Sequence, residues 1–127
     1  MTDQNINILV VDDYKTMLRI IRNLLSQLGF NAVDEAYNGS LAISQLKEKK
    51  YDLIISDWNM EPMSGLELLK AVRADESLKH IPFIMVTAES KTDNVIAAKE
   101  AGVSNYIIKP FNLDTLRAKL TNVLGEF

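Results

Sequence analysis

Short runs rich in branched apolar side chains alternate with amphipathic helical stripes along the whole chain. This alternation limits the fold more than any other feature. The clearest runs are Ile6–Val11, Leu53–Ser56 and Ile81–Thr87, with weaker candidates at Asn31–Ala36 and Ser104–Ile108. Runs this short and apolar on both faces are expected as strands of a buried parallel sheet. Between them, Met17, Leu18, Ile21, Leu24, Leu25 and Leu28 form an i, i+3/i+4, i+7 stripe, and Gly29 is placed to end that helix. Leu41, Ala42 and Leu46 repeat the pattern ahead of a solvated run at Lys47–Lys50. Leu66, Leu69 and Val72 mark a third helix, and Leu113, Leu116, Leu120 and Val123 a last one. Thr92–Ala101 also reads as helix, closed by Gly102, but its face is largely alanine. Burying less area per turn, it is expected to be the loosest of the helices.

Five strand–helix alternations predict an α/β doubly wound fold, a parallel sheet with helices on both faces joined by right-handed crossovers. A length of 127 residues suits one core. The chain stops shortly after the last helix, so a single domain over residues 1–127 is expected, with no output domain following. The net charge of −3 argues against a nucleic-acid partner. Without cysteine there can be no disulfide, thiolate metal site or thiol nucleophile. The polar N-terminus "MTDQNIN" is no signal peptide, and no apolar run approaches the ~18 residues of a membrane span. A cytoplasmic, monomeric protein is expected.

In open α/β sheets, ligands bind beyond the carboxyl ends of the strands. Asp12 and Asp13 stand at the end of the first run, and Asp57 at the end of the third, followed by Trp58 and Asn59. Thr87 and Ala88 end the fourth, and Lys109 precedes Pro110 after the fifth. Three aspartates gathered at one edge raise one another's pKa unless a cation offsets the repulsion. Mg²⁺ suits such a site because it keeps several waters and takes only one or two carboxylates. A carboxylate can act as nucleophile in phosphoryl transfer, with Lys109 and the ion neutralising charge and Thr87 donating a hydrogen bond. Taken alone, an Asp-Asp pair after a strand serves equally well to cap the next helix. The order of suitable groups at four strand ends favours the chemical reading.

These residues resemble the receiver domains of two-component response regulators, above all the CheY-like chemotaxis type. "VDD" at 11–13, "SDWNM" at 56–60, "SGLELLKAVRAD" at 64–75, "TAES" at 87–90 and "YIIKPF" at 106–111 carry the resemblance, which spans essentially the whole chain. It implies a flavodoxin-like sheet in the order 2-1-3-4-5. It also implies Asp57 as phosphoacceptor, and Asp12, Asp13, Asp57 and the backbone carbonyl of Asn59 as ligands of Mg²⁺. Lys109, Thr87 and Ala88 would contact the phosphoryl group, and Thr87 with Tyr106 would form the switch pair. Asn59 and Glu89 would tune dephosphorylation, their identities matching fast-hydrolysing chemotaxis regulators. Lys109-Pro110 would be a cis bond. The implied partners are a histidine kinase, a phosphatase, and a target such as the flagellar motor switch, bound through Lys91–Ala101, Tyr106 and the last helix. A phosphate sink or relay intermediate in another two-component pathway is the alternative role.

Two positions depart from the family's habit. Proline often follows the methionine after the acceptor, whereas this chain runs Met60-Glu61-Pro62-Met63; and Tyr14 stands beside the expected ion. The pattern around Ser90, Lys91 and Thr92 also differs from the enteric motor-binding regulator. A haloacid-dehalogenase-type phosphatase would need a second aspartate where Asn59 stands, so turnover of phosphate esters is not expected. A flavodoxin would need a Ser/Thr/Gly-rich loop after the first strand, and a dinucleotide binder G-x-G-x-x-G; neither occurs. A phosphorylation-independent binding domain would have no use for a complete acceptor set. Trp58 and the methionines at 17, 60, 63 and 85 read as packing, and His80 as a solvated loop residue.

Overall fold

The computed structural model describes residues 4–88 and 92–127, side chains excepted at 92 and 93. Five strands alternate with five helices. The strands are β1 (Ile8–Val11), β2 (Val33–Ala36), β3 (Leu53–Asp57), β4 (Phe83–Thr87) and β5 (Asn105–Ile108). The helices are α1 (Lys15–Gln27), α2 (Gly39–Glu48), α3 (Gly65–Ala74), α4 (Thr92–Glu100) and α5 (Leu113–Leu124). The strands form one parallel sheet in the order β2-β1-β3-β4-β5. Four fall within their expected runs and β3 extends one residue past its run to Asp57; the runs at Ile6, Asn31 and Ile81 begin two residues before the paired segment.

Because successive side chains leave a strand on opposite faces, one sequence builds two cores. Ile8, Val10, Ile55, Ile84, Val86 and Ile107 pack on one side with Leu18, Ile21 and Leu25 of α1 and Leu116 and Leu120 of α5. Leu9, Val11, Ile54, Phe83 and Met85 pack on the other with Ala42 and Leu46 of α2 and Leu68, Leu69 and Val72 of α3. Each fully buried branched side chain contributes about 1.5–3 kcal/mol.

The helix ends follow their local chemistry. Gly29, at φ 95°, turns the chain out of α1. Asn38 and Asn112 accept the backbone N–H groups of Leu41 and Thr115 to cap α2 and α5. Ser64 and Glu67 form a reciprocal capping box on α3. Arg73 on α3 donates to the carbonyls of Lys79, Ile81 and Gly102 and so ties α3 to the loops preceding β4 and β5. Among the described side chains of α4, only Ala98 is buried. No described helix is long and apolar enough to cross a membrane.

Candidate functional site

The order of strands reverses between β1 and β3, and the carboxyl ends of these two central strands open a crevice there. Asp57 is the last residue of β3 and Asp12 follows β1 directly; both are buried. Asp13 points outward and is exposed. One carboxylate oxygen from each of these three residues lies within 4.8 Å of the others. Lys109, just past β5, reaches across so that its Nζ stands 2.8 Å from Asp57 Oδ1 and 4.0 Å from Asp12 Oδ2. Thr87 ends β4 and is buried beside them, and Ala88 after it is exposed. The Lys109-Pro110 peptide is cis, as is Glu61-Pro62.

The two adjacent aspartates divide their work. Asp12 Oδ1 accepts the Tyr14 backbone N–H at 2.9 Å, which fixes the carboxylate just ahead of α1. Its other oxygen is buried without a hydrogen-bond partner. The helix is not capped by either aspartate: the N-cap position is Tyr14, whose side chain makes no capping bond, and Asp12 accepts only the N–H of Tyr14 itself. Burial, reinforced by Asp57 and Asp13 and opposed by the Tyr14 amide and Lys109, pushes the Asp12 carboxyl up to about 6. Asp57 Oδ1 is instead held by the Lys109 ammonium at 2.8 Å as a close ion pair.

Asp12 Oδ2, buried without a hydrogen-bond donor, together with Asp57 and exposed Asp13, makes a carboxylate cluster whose repulsion a hard cation would offset. A donor set made only of carboxylate oxygen fits Mg²⁺ and disfavours softer metals. An open cleft of about 300 Å³ leads to the acids, walled by Asp13, Trp58, Asn59, Met60, Glu61 and Ser64. Asn59 thus sits at the cleft, with its residue exposed. A small internal gap lies between Thr87, Trp58 and Tyr106, closed by Met85, Val95 and Ala98. Tyr106 is half-buried, with Lys119 Nζ 5.4 Å from its ring centre. Glu89, Ser90 and Lys91 lie outside the described residues. A wider groove of about 570 Å³ opens at the other end of the sheet, lined by Lys47, Tyr51, Ser77 and exposed His80 among others, remote from the acids.

The response regulator receiver domain profile matches residues 8–121. This chain belongs to that family. The receiver is 50% identical over 121 residues to chemotaxis protein CheY-3 of Vibrio cholerae, covering 95% of this chain and 93% of that one. It is also 50% identical over 116 residues to chemotaxis protein CheY of Pseudomonas aeruginosa, covering 91% and 94%. The crystal structure of Vibrio cholerae CheY4 at low pH superposes with a TM-score of 0.88 at 33% identity, covering 94% and 99% of the two chains. The receiver domain of sensor histidine kinase PA1611 from Pseudomonas aeruginosa, solved with a magnesium ion coordinated in its active-site cleft, superposes at 0.86 with 26% identity, covering 96% and 99%. The receiver is therefore a CheY-like two-component signalling domain.

Some site residues escaped sequence reasoning. Gly65 lies so close to β3 that a Cβ there would strike the Asp57 carbonyl, the Met85 sulfur and the Trp58 Cα. Its N–H donates to the Trp58 carbonyl at 2.8 Å. The glycine was visible in "SGLELLKAVRAD", yet nothing local announces what it must avoid. Ser64 and Glu61 line the cleft for equally nonlocal reasons.

Proposed function

We propose that this receiver is a stand-alone switch phosphorylated on Asp57 by a histidine kinase in a chemotaxis pathway. In the proposed transfer, an Asp57 oxygen attacks the phosphorus of a phosphohistidine in line; the P–O bond forms as the P–N bond breaks, and the leaving imidazole recovers a proton. Asp12 and Asp13, with Asp57 and the Asn59 carbonyl, are the proposed holders of Mg²⁺. Bound there, the ion would neutralise charge on the phosphoryl oxygens. Lys109 would serve the same end from the opposite side, and Thr87 with the Ala88 backbone would bind a remaining phosphoryl oxygen. Coupling to Tyr106 would proceed across the gap that the ring shares with Thr87, shifting a two-state equilibrium of the α4–β5–α5 face. Asn59 and Glu89 are the proposed regulators of water attack on the acyl phosphate.

The observation that carries this reading is the ion pair between Lys109 and a buried Asp57 that has two further carboxylates within 4.8 Å. The likeness to the magnesium-bound PA1611 receiver supports the choice of ion. Exposed Ile96 on α4 and Ile108 on β5 give the target-binding face an apolar centre. The flagellar motor switch is the proposed target.

Trp58, the sole tryptophan, lines both the cleft and the gap beside Thr87. Its fluorescence is expected to change on adding Mg²⁺ and again with beryllium fluoride, and the second change should vanish in Asp57→Asn. Silence in both steps for the wild type would remove the reading. In a pull-down of motor switch protein, binding should rise only for wild type with beryllium fluoride. Uptake of phosphate from a kinase without any such rise would assign the phosphate-sink role instead.

A further inference from the structure

Glu61 occupies the position where this chain departs from the family's usual Met-Pro order, and the structure puts it on the wall of the acidic cleft with Asp13. The residue is exposed, and its carboxylate has no hydrogen bond or ion pair among the described residues. It is not among the carboxylates that meet within 4.8 Å, so it is no fourth ligand. Among the described residues no lysine or arginine lines the cleft, and the nearby ammonium of Lys109 faces inward onto Asp57. Asp13 and Glu61 therefore give the mouth two negative charges that no cationic side chain among the described lining residues offsets, and only one of them is needed to ligate an ion.

We propose that Glu61 acts on the cation without ligating it: its charge at the cleft mouth concentrates divalent ions over Asp13 and holds them more tightly. The proposal rests on the magnesium-dependent reading above and adds a residue to it. A carboxylate at an open, solvent-exposed cleft interacts with a divalent ion at twice the strength it would have for a monovalent one, yet through high dielectric. The expected effect is thus modest, roughly two- to fivefold in affinity, and sensitive to salt. The same charge repels small anionic phosphodonors such as acetyl phosphate. A donor histidine delivered by a docked protein domain brings favourable contacts that outweigh this repulsion.

The test is a Mg²⁺ titration followed by Trp58 fluorescence for the wild type, Glu61→Gln, Glu61→Lys and Glu76→Gln. Glu76 is another exposed acid, paired with Lys79 in the loop after α3, and controls for net charge. At an ionic strength of about 20 mM the dissociation constant should rise roughly two- to fivefold in Glu61→Gln and further in Glu61→Lys, and stay unchanged in Glu76→Gln. At about 0.5 M salt the three curves for position 61 should converge. Melting curves in the absence of Mg²⁺ check that each variant is folded. Wild-type affinity in both Glu61 variants at low salt overturns the proposal, as does an equal shift in Glu76→Gln or a gap that survives high salt. A wild type that takes up no Mg²⁺ overturns the parent reading, a result distinct from a responsive wild type with unresponsive variants.

Discussion

At the scale of single residues, the adjacent aspartates show how one residue type takes two roles. Asp12 is anchored by the Tyr14 amide and buried, while Asp13 faces the cleft. Burial holds the Asp12 carboxyl at about 6, above its ordinary value of 3.8. The unfolded chain releases this proton near pH 4 and the folded one near pH 6. The metal-free fold is therefore favoured below pH 4 and loses that advantage as the pH rises through 6, by on the order of 3 kcal/mol. Asp12→Asn keeps the shape without the charge. In EDTA at pH 7.5 it should melt above the wild type, and near pH 4 the difference should close. A variant less stable than wild type at pH 7.5 in EDTA would contradict this electrostatic account. The residue types were readable from "VVDD"; their division of labour depends on which carboxylate the sheet covers.

Among the elements, α3 is the one whose start touches the chemistry. Its apolar stripe was legible as Leu66, Leu69 and Val72, to which the structure adds Leu68 as fully buried and the Ser64–Glu67 capping box. What could not be read is that Gly65 packs against the backbone of Asp57 and Trp58. Gly65→Ala should cost about 2–3 kcal/mol in urea unfolding, because backbone rather than a flexible side chain must give way. Mg²⁺ affinity should fall as well, since β3, which carries Asp57, is what moves. Near wild-type values for both would show that the contact is easily relieved. Helices with leucine stripes were recognisable because leucine at helical spacing buries one face wherever the helix docks. β2, with Val33-Asp34-Glu35-Ala36, was weaker because an edge strand has only one neighbour and half-buries its acids. Tyr51 donates to Asp34 there at 2.6 Å, a contact across sequence that no local pattern encodes.

For the molecule as a whole, the site exists only because four strand ends are brought level by parallel pairing. A cation bound among these three carboxylates requires the folded state, so by linkage it should stabilise the fold. At about a hundred times its dissociation constant, Mg²⁺ should add roughly 2.7 kcal/mol and raise the Tm by several degrees, with EDTA reversing the gain. Asp13→Asn should remove most of that gain while leaving the metal-free Tm close to wild type, because Asp13 is exposed and carries no packing. A Tm indifferent to Mg²⁺ in the wild type would be incompatible with a cation site here. The sequence by itself determined the class of fold, the location of the acids, Thr87 and Lys109 at strand ends, and the family, since periodicity and motif spacing are local properties of the chain. Tertiary structure alone decided which carboxylate is buried, which oxygen lacks a donor, that Lys109 meets Asp57, and that Gly65 and Glu61 border the site. Those depend on distances between segments far apart in sequence, and such distances are set only when the sheet and its helices pack together.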